Sequence, residues 1–390
     1  MVAAAAVLSA PWAAPAQADG ALPLPLLPHI PFYLTDTAAA SDHPEPLSTR
    51  GLKALDASYV YKGRNQTVSD YLKRSSTRGF MVMKDNQILD ERYFDGYSAS
   101  SRFNSWSVGK SITAAALGIA VSDGRISSID DPVTKYVPEL AKSGYAGVSI
   151  RNLLTMSSGT AYDETDYTNP TKGSTATTIR MVAGTSLIDQ AKEIKRERPA
   201  GTKWNYDSMD SFVLGWVVSK ATGKSLSSYV DDRIWKPAGM ETPALIGKDY
   251  SGSAIGYCCY HATVRDFARF GLLYLRDGQA GGKQVVPQQW VNDSTHASAP
   301  HLEPHQLRPD APDSSENNYG YGYQWWLGDG DRGDYSAIGI LGQYIYVSPK
   351  DHIVIVKTSE DLNSEANMGE AFYAFRAIAD AATKETTANR

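Results

Sequence analysis

A serine and a lysine stand three positions apart in Ser107-Val-Gly-Lys110, and no other lysine of the chain has a serine three residues before it. On a helix this spacing puts both side chains on one face, so that the amine reaches the hydroxyl. A serine becomes a good nucleophile only when a base takes its proton, and a desolvated lysine has a pKa low enough to serve. The pair predicts a lysine-activated serine nucleophile. The structural alternative is a capping serine beside a surface lysine.

Two other motifs overlap this segment, and each lacks a glycine that its chemistry needs. Gly109-Lys-Ser imitates the end of a phosphate-binding loop, but Asn104 occupies the position of the first glycine of such a loop. Ser105-Trp-Ser-Val-Gly imitates the nucleophile elbow of α/β-hydrolases, but it lacks the first glycine and a preceding buried strand. The serine–lysine interpretation is therefore retained.

A tyrosine and a serine follow in Lys203-Trp-Asn-Tyr-Asp-Ser208. A tyrosine hydroxyl near a lysine can relay protons to a leaving group, and a nearby serine can donate or accept a hydrogen bond. The sequence therefore predicts Tyr206 as the partner of Lys110 in proton transfer.

Other residue types give weaker signals. Trp106, Trp325 and Trp326 are candidates for the wall of an acyl pocket, although two adjacent tryptophans in a strand usually place one ring in the core and one in solvent. Cys258 and Cys259 are neighbours, which excludes ordinary disulfide geometry unless the backbone between them is strained, so no disulfide framework is expected. The histidines show no zinc-binding spacing, and no metal or organic cofactor is expected.

The elements that must position these residues change in type along the chain. A helix is predicted over residues 67–75, a hairpin over 80–83 and 87–94, and a buried alanine-rich helix over 107–121. Helices are predicted over 149–156, 210–221, 227–235 and 263–275. Strands are predicted over 319–327, 336–347 and 352–358, before a helix over 364–384. This order predicts an α/β (α+β) fold in which both ends of the chain complete one antiparallel sheet flanked by helices.

The domain organisation follows from the same pattern. Residues 67–125 and 300–390 are expected to form the sheet-containing part, and residues 126–299 a mainly helical subdomain. Residues 1–18 end in Ala16-Gln-Ala18 and are interpreted as a possible signal peptide, which predicts a periplasmic or secreted protein; without cleavage there the protein is expected to be cytoplasmic. The proline-rich residues 19–66 are expected to form an extended arm that does not span a membrane.

Composition excludes several function classes. The chain has 38 Lys and Arg against 43 Asp and Glu, a formal net charge of −5, which argues against a nucleic-acid partner. With 42% hydrophobic and 21% charged residues, the composition is that of a folded globular protein. The expected partner is a small-molecule substrate, and the oligomeric state is not readable.

The order of the motifs resembles that of serine β-lactamases and penicillin-binding proteins, especially a class C-like branch that holds carboxylesterases and 6-aminohexanoate oligomer hydrolases. The resemblance covers roughly residues 67–384 and implies a β-lactamase/transpeptidase-like fold. Longer matching segments are Asp123–Leu140, Ile150–Gly159, Ile234–Met240 and Thr263–Gly271.

The resemblance also implies roles for further residues. Gly339-Ile-Leu-Gly-Gln343 resembles the Gly-Ile-His-Gly-Gln segment of the oligomer hydrolases, which implies that Gly339 lets substrate approach. The amide of Ile340 is then expected to pair with that of Ser107 as an oxyanion hole. Tyr167 ends a segment that resembles the tyrosine-bearing loop of those enzymes, and Leu341 replaces their histidine.

Substrate-contacting roles are expected for Tyr167, Ser208, Trp106, Gly339, Leu341 and Cys258. Cys258 is included because it falls where that branch has a glycine-rich loop near the active site. The alternative for Cys258 is a small buried hydrophobic residue.

Departures from the family pattern shape the predicted activity. Ser208 replaces the asparagine of the lactamase Tyr-x-Asn motif, and Ala337-Ile-Gly339 replaces a Lys-Thr-Gly strand, which removes a charge-assisted contact for a substrate carboxylate. We therefore expect a serine hydrolase that cleaves carboxylic esters or linear amides through an acyl-enzyme. The alternatives are a β-lactamase or D-alanyl-D-alanine carboxypeptidase, and a non-catalytic binding or sensor module on the same fold.

Overall fold

The structure is a computed structural model that describes residues 33–49 and 52–388. The possible signal peptide over residues 1–18 lies outside the described residues. In the described part of the expected N-terminal arm, residues 34–38 form an extended strand.

Most strands lie in the first and last parts of the described chain, and most helices lie between them. The strands are β1 Leu34–Ala38, β2 Ser48–Thr49, β3 Ser58–Tyr61, β4 Arg64–Thr67, β5 Thr77–Lys84, β6 Gln87–Tyr93, β7 Phe103–Asn104, β8 Ala244–Lys248, β9 Tyr260–Ala262, β10 Gln279–Ala280, β11 Lys283–Gln284, β12 Gly320–Tyr321, β13 Trp326–Leu327, β14 Tyr335–Gly339, β15 Gln343–Ser348 and β16 Ile353–Ser359. The helices are α1 Val68–Arg74, α2 Gly109–Ser122, α3 Ile150–Leu154, α4 Gly173–Val182, α5 Leu187–Glu193, α6 Ser208–Thr222, α7 Leu226–Val230, α8 Val264–Leu275, α9 Gln288–Ser294 and α10 Ser364–Ala388.

The main sheet has eight strands in the order β12-β13-β14-β15-β16-β5-β6-β2. All its pairs are antiparallel except β2 with β6. The predicted sheet completed by both ends of the chain is confirmed at β16 and β5, where Ile353 pairs with Lys84.

Both faces of this sheet are buried. Alternate residues of β5 belong to two different hydrophobic clusters, one on each face. On β5, Phe80 and Val82 pack in one hydrophobic cluster with the apolar face of α10, whereas Met81 and Met83 pack in another with α8. Side chains of successive strand residues point to opposite faces, so helices on both sides produce this division. The predicted helices over 107–121 and 263–275 correspond to α2 and α8.

Two features differ from the expected elements. The run 336–347 is not one strand: Leu341 and Gly342 have φ values of +64° and +84°, which turn the chain between β14 and β15. A second sheet of order β1-β8-β9-β7 was not anticipated. Its strands β8 and β9 lie in the stretch that was predicted to be mainly helical, and β8 pairs with the distant β1.

Candidate active site

Ser107 lies in a single 3-10 turn, Trp106–Val108, that runs directly into α2. The turn is sharp because Trp106 adopts a φ of +45°. Gly109 is needed at the start of α2, since a Cβ there would lie 2.6 Å from the Tyr260 ring. The side chain of Ser107 is thereby presented at the N-terminal end of a buried helix.

Lys110 lies one turn further along and is buried. Its Nζ donates to Ser107 Oγ at 2.8 Å, to Ser208 Oγ at 3.0 Å and to the Tyr257 carbonyl at 3.4 Å. Burial lowers the pKa of Lys110 to about 8, while the charges of Glu164 and then Asp207 oppose that shift. With this pKa, about a tenth of Lys110 is unprotonated at pH 7 and able to accept a proton, far more than for an exposed lysine.

Tyr206 lies beside this pair, two residues before the start of α6. The nitrogen of Lys110 is 4.7 Å from the centroid of the Tyr206 ring. Burial and then the Glu164 charge raise the pKa of Tyr206, and its contact with the Ser107 side chain lowers it. The hydroxyl of Tyr206 therefore keeps its proton at neutral pH and can donate it.

The end of β14 lies directly against Ser107. A Cβ on Gly339 would approach the Ser105 carbonyl oxygen to 2.7 Å and the Ser107 amide nitrogen to 3.1 Å, so only glycine fits. The next residue, Ile340, borders the same space. Neither the Ser107 nor the Ile340 amide has a hydrogen-bond acceptor among the described residues.

Two cavities, of about 360 and 40 Å³, meet at Ser107. Both are bordered by Glu164, Tyr167 and Ile340. The larger is also bordered by Trp326, Ile338 and Tyr344 of the main sheet, by Ser364 and Glu365 of α10, and by Arg308 and Glu316 in the segment before β12. The smaller is lined by Trp106, Thr178, Ile255, Tyr257 and Cys258.

Glu164 is a site residue that the sequence analysis missed. Its carboxylate accepts hydrogen bonds from the Ser208 amide at 2.8 Å and from the Ser208 hydroxyl at 2.7 Å. Because Ser208 also accepts from Lys110, the three residues form one chain of hydrogen bonds. The segment that contains Glu164 was singled out for Tyr167, and no pattern within it separates a buried carboxylate from its exposed neighbours.

The structure brings most of the predicted site residues together. Ser107, Lys110, Tyr206 and Ser208 form the centre, and Trp106, Tyr167, Cys258, Gly339 and Ile340 line the cavities. Leu341 differs: its side chain is buried outside both linings, and its amide donates to Ser364 Oγ at 2.9 Å.

The expectations for the paired tryptophans and paired cysteines need correction. Trp325 and Trp326 are both buried, because both faces of the sheet are covered; Trp325 stacks on Phe270, and Trp326 borders the larger cavity. Cys258 and Cys259 are joined by a disulfide, which the sequence analysis excluded. Cys259 has a φ of +74°, a left-handed conformation that the expectation did not consider.

Within residues 33–49 and 52–388, no three His, Cys, Asp or Glu side chains are arranged to hold a metal ion. None of the helices in those ranges is both long enough and apolar enough to cross a bilayer.

This chain is similar to several proteins that are named as hydrolases or esterases. A 6-aminohexanoate-dimer hydrolase from Paenarthrobacter ureafaciens is 30% identical over 336 residues, covering 84% of this chain and 82% of that protein. Esterase EstB from Burkholderia gladioli is 31% identical over 163 residues, covering 39% of this chain and 40% of that protein. The structure of a putative 6-aminohexanoate-dimer hydrolase from Bacillus anthracis superposes with a TM-score of 0.78 at 25% identity, covering 91% of this chain and 92% of that one.

The family model described as Beta-lactamase matches residues 64–382, a range that includes Ser107, Lys110, Tyr206 and both cavities. The resemblance inferred from the motifs is therefore confirmed over most of the chain: this protein belongs to the beta-lactamase family and is a hydrolase.

Proposed function

We propose that this hydrolase cleaves carboxylic esters and linear amides through an acyl-enzyme on Ser107. The observation that carries the proposal is the 2.8 Å contact between Lys110 Nζ and Ser107 Oγ, in a buried setting that lowers the pKa of Lys110 to about 8. A buried amine with a pKa near neutrality is a suitable general base for a serine hydroxyl.

In the proposed acylation, Ser107 Oγ attacks the carbonyl carbon of the substrate and its proton passes to Lys110. The negative charge that develops on the carbonyl oxygen is stabilised by the amides of Ser107 and Ile340, which have no acceptor among the described residues. The tetrahedral intermediate collapses when the bond to the leaving alkoxide or amine breaks. Tyr206 donates the proton that the leaving group needs and regains one from Lys110.

Deacylation repeats these steps with water as the nucleophile. Water attacks the acyl carbon and gives a proton to the Lys110–Tyr206 pair. The second intermediate expels Ser107 Oγ, which recovers its proton, and the carboxylic acid leaves. Glu164 supports both half-reactions by holding Ser208 against Lys110.

The substrate class follows from the charges near the cavities. Ala337 stands where the lactamase pattern has a lysine, so that strand supplies no cation for the carboxylate of a penicillin or cephalosporin. Esters are expected to react faster than amides because an alkoxide needs less protonation than an amine. Linear amides remain within the proposal because the relatives include proteins named 6-aminohexanoate-dimer hydrolases.

Initial rates on a short-chain p-nitrophenyl ester, nitrocefin and a linear aminohexanoate amide test the proposal, with Ser107→Ala as the control. We expect the highest kcat/KM for the ester, with loss of turnover and of fluorophosphonate labelling in Ser107→Ala. A higher value for nitrocefin would favour the lactamase alternative, and a higher value for the amide would favour an oligomer hydrolase. Absence of both labelling and turnover in the wild type would favour a binding module, and labelling of another serine would reject Ser107.

A further inference from the structure

Lys357 on β16 is a buried lysine that the proposed chemistry does not use. Its side chain has no exposed surface, and no described carboxylate forms an ion pair with it. Its Nζ donates instead to the Gly342 carbonyl at 3.3 Å and to the Ser359 hydroxyl. Burial lowers the pKa of Lys357 to about 7, against the opposing charge of Asp361. Because burying an unpaired amine is unfavourable, its place in this core requires a reason other than packing.

Gly342 belongs to the tight turn that carries Ile340. Gly339 pairs with Gln343 at the end of the β14–β15 hairpin, and the Gly342 amide donates to the Gly339 carbonyl at 3.2 Å. A Cβ on Gly342 would lie 3.0 Å from the nitrogen of Lys357, so glycine leaves the room that the lysine needs. A rotation of the backbone at Gly342 would redirect the amide of Ile340, two residues away.

Lys357 also connects this turn to the wall of the larger cavity. Its nitrogen lies 5.3 Å from the centroid of the Tyr71 ring and 5.6 Å from that of Tyr344. Tyr344 borders the larger cavity and pairs with Lys357 across the sheet. The turn is also held by the Gln343 side chain, which donates to the Leu341 carbonyl at 3.2 Å and the Ser359 carbonyl at 2.7 Å. Leu341 adds two further bonds, since its amide donates to Ser364 Oγ at 2.9 Å and its carbonyl accepts from the Asp361 amide at 3.0 Å.

We propose that Lys357 is a positioning residue for the oxyanion site: its hydrogen bond to Gly342 holds the β14–β15 turn so that the Ile340 amide faces the reacting carbonyl oxygen. The inference rests on the function proposed above, and Lys357 itself touches no substrate. Because the negative oxygen exists only after Ser107 has attacked, the lysine affects the transition state much more than the bound substrate.

The substitution Lys357→Met tests this role, because it keeps an unbranched apolar stem and removes the donor. For a p-nitrophenyl ester we expect kcat to fall by about 10- to 100-fold, somewhat less than the loss of an oxyanion donor itself, with KM within about twofold. A boronic acid whose boron adds to Ser107 Oγ forms a tetrahedral anion, so its inhibition constant is expected to rise by a similar factor.

Lys84→Met is the matched control. Lys84 pairs with the other end of β16 and also donates to a backbone carbonyl, that of Asp351 at 2.9 Å, far along the strand from the turn. We expect this variant to keep wild-type kcat and boronate affinity. Equal losses of kcat and of boronate affinity in the two lysine variants would show that the effect comes from general destabilisation of the sheet, and would overturn the proposal.

Folded Lys357→Met with wild-type kcat and boronate affinity would also overturn it. If that variant does not fold, Lys357→Gln carries the same test, because its shorter side chain cannot span to both Gly342 and Ser359. A wild-type enzyme that neither turns over esters nor labels at Ser107 would reject the proposed function itself, and the inference with it. An active wild type with unaffected lysine variants would reject the inference alone.

Discussion

The Glu164 carboxylate accepts two hydrogen bonds from Ser208, one from the Ser208 amide and one from the Ser208 hydroxyl. The Ser208 hydroxyl in turn accepts a hydrogen bond from Lys110. Glu164 therefore influences Lys110, the proposed general base, in two ways. It fixes the oxygen that Lys110 contacts, and its charge raises the pKa of Lys110 against the lowering caused by burial.

Replacing Glu164 by Gln is expected to move the acidic limb of the kcat/KM profile to lower pH. Without the carboxylate charge the pKa of Lys110 falls further, so the amine stays unprotonated at lower pH. We expect kcat to fall by about tenfold, because an amide cannot accept both hydrogen bonds from Ser208 as a carboxylate does. Asp163→Asn is the control, since Asp163 pairs with Lys172 at the surface; a limb that moves equally in both variants would contradict the prediction.

Lys110 and Tyr206 are expected to act as one proton-transfer unit. Lys110→Ala and Tyr206→Phe should each lower kcat by about 10²- to 10⁴-fold, the usual range for general acid–base catalysis. The double variant should lose little more than either single variant, because removing one member already disables the unit. Steady-state kinetics on one ester checks this, and a double-variant loss equal to the product of the single losses would show that they act independently.

Tyr167 is expected to matter more for amides than for esters. Tyr167 borders both cavities. Burial and then the charge of Glu164 raise the pKa of its hydroxyl, so the hydroxyl keeps its proton and can donate a hydrogen bond. Tyr167→Phe should lower kcat/KM for a linear amide by about tenfold and for a p-nitrophenyl ester by less than about threefold, because an amine leaves only after protonation.

The control for Tyr167 is Tyr162→Phe, five residues earlier. The Tyr162 hydroxyl is hydrogen-bonded to Thr177 at 3.0 Å, and Tyr162 borders neither catalytic cavity. We expect its amide-to-ester ratio of kcat/KM to match that of the wild type. An unchanged ratio in Tyr167→Phe would remove Tyr167 from the proposed protonation of the leaving group.

Asp210, in the first turn of α6, is expected to make folding stability depend on pH. Burial and then the neighbouring Asp207 charge raise its pKa well above 3.8. The folded state therefore keeps a proton that the unfolded chain releases above about pH 4, so the free energy of unfolding falls as the pH rises toward the raised pKa, by at most about 1.4 kcal/mol per unit.

Asp210→Asn removes that dependence and is expected to raise Tm relative to the wild type by several degrees at pH 8, with a smaller difference at pH 5. Asp266→Asn is the comparison, because Asp266 is equally buried but pairs with Arg269 at 3.0 Å. That variant should be destabilised at both pH values. A Tm difference for Asp210→Asn that does not change with pH would contradict the expectation.

Local patterns sufficed for those parts of the fold and candidate site that depend on neighbouring residues. The spacing of Ser107 and Lys110 predicted their contact, and the alanine-rich composition predicted the buried helix α2 that carries Lys110. The hairpin of β5 and β6 was likewise readable, since the turn residues separate two strand-like runs.

Non-local contacts explain what the sequence analysis missed. Strand β8 is short and pairs with β1, some two hundred residues earlier. The residues next to β8 in sequence therefore carry no pattern that predicts a strand there. Glu164 becomes a site residue only because α6 brings Ser208 against it. The turn between β14 and β15 lies in an apolar run, where the glycines were the only residues typical of a turn. Leu341 adopts a positive φ although it is not a glycine.

The pairing of β16 with β5 has a consequence for synthesis of the protein. Ser107 leaves the ribosome early, but Ile340 and the strand that seats it beside the nucleophile come from the last part of the chain. A nascent chain therefore has its nucleophile long before it has both amides of the proposed oxyanion hole. On the proposed mechanism, a product truncated before β14 would keep the Ser107–Lys110 pair but lack the Ile340 amide, so its oxyanion hole would be incomplete.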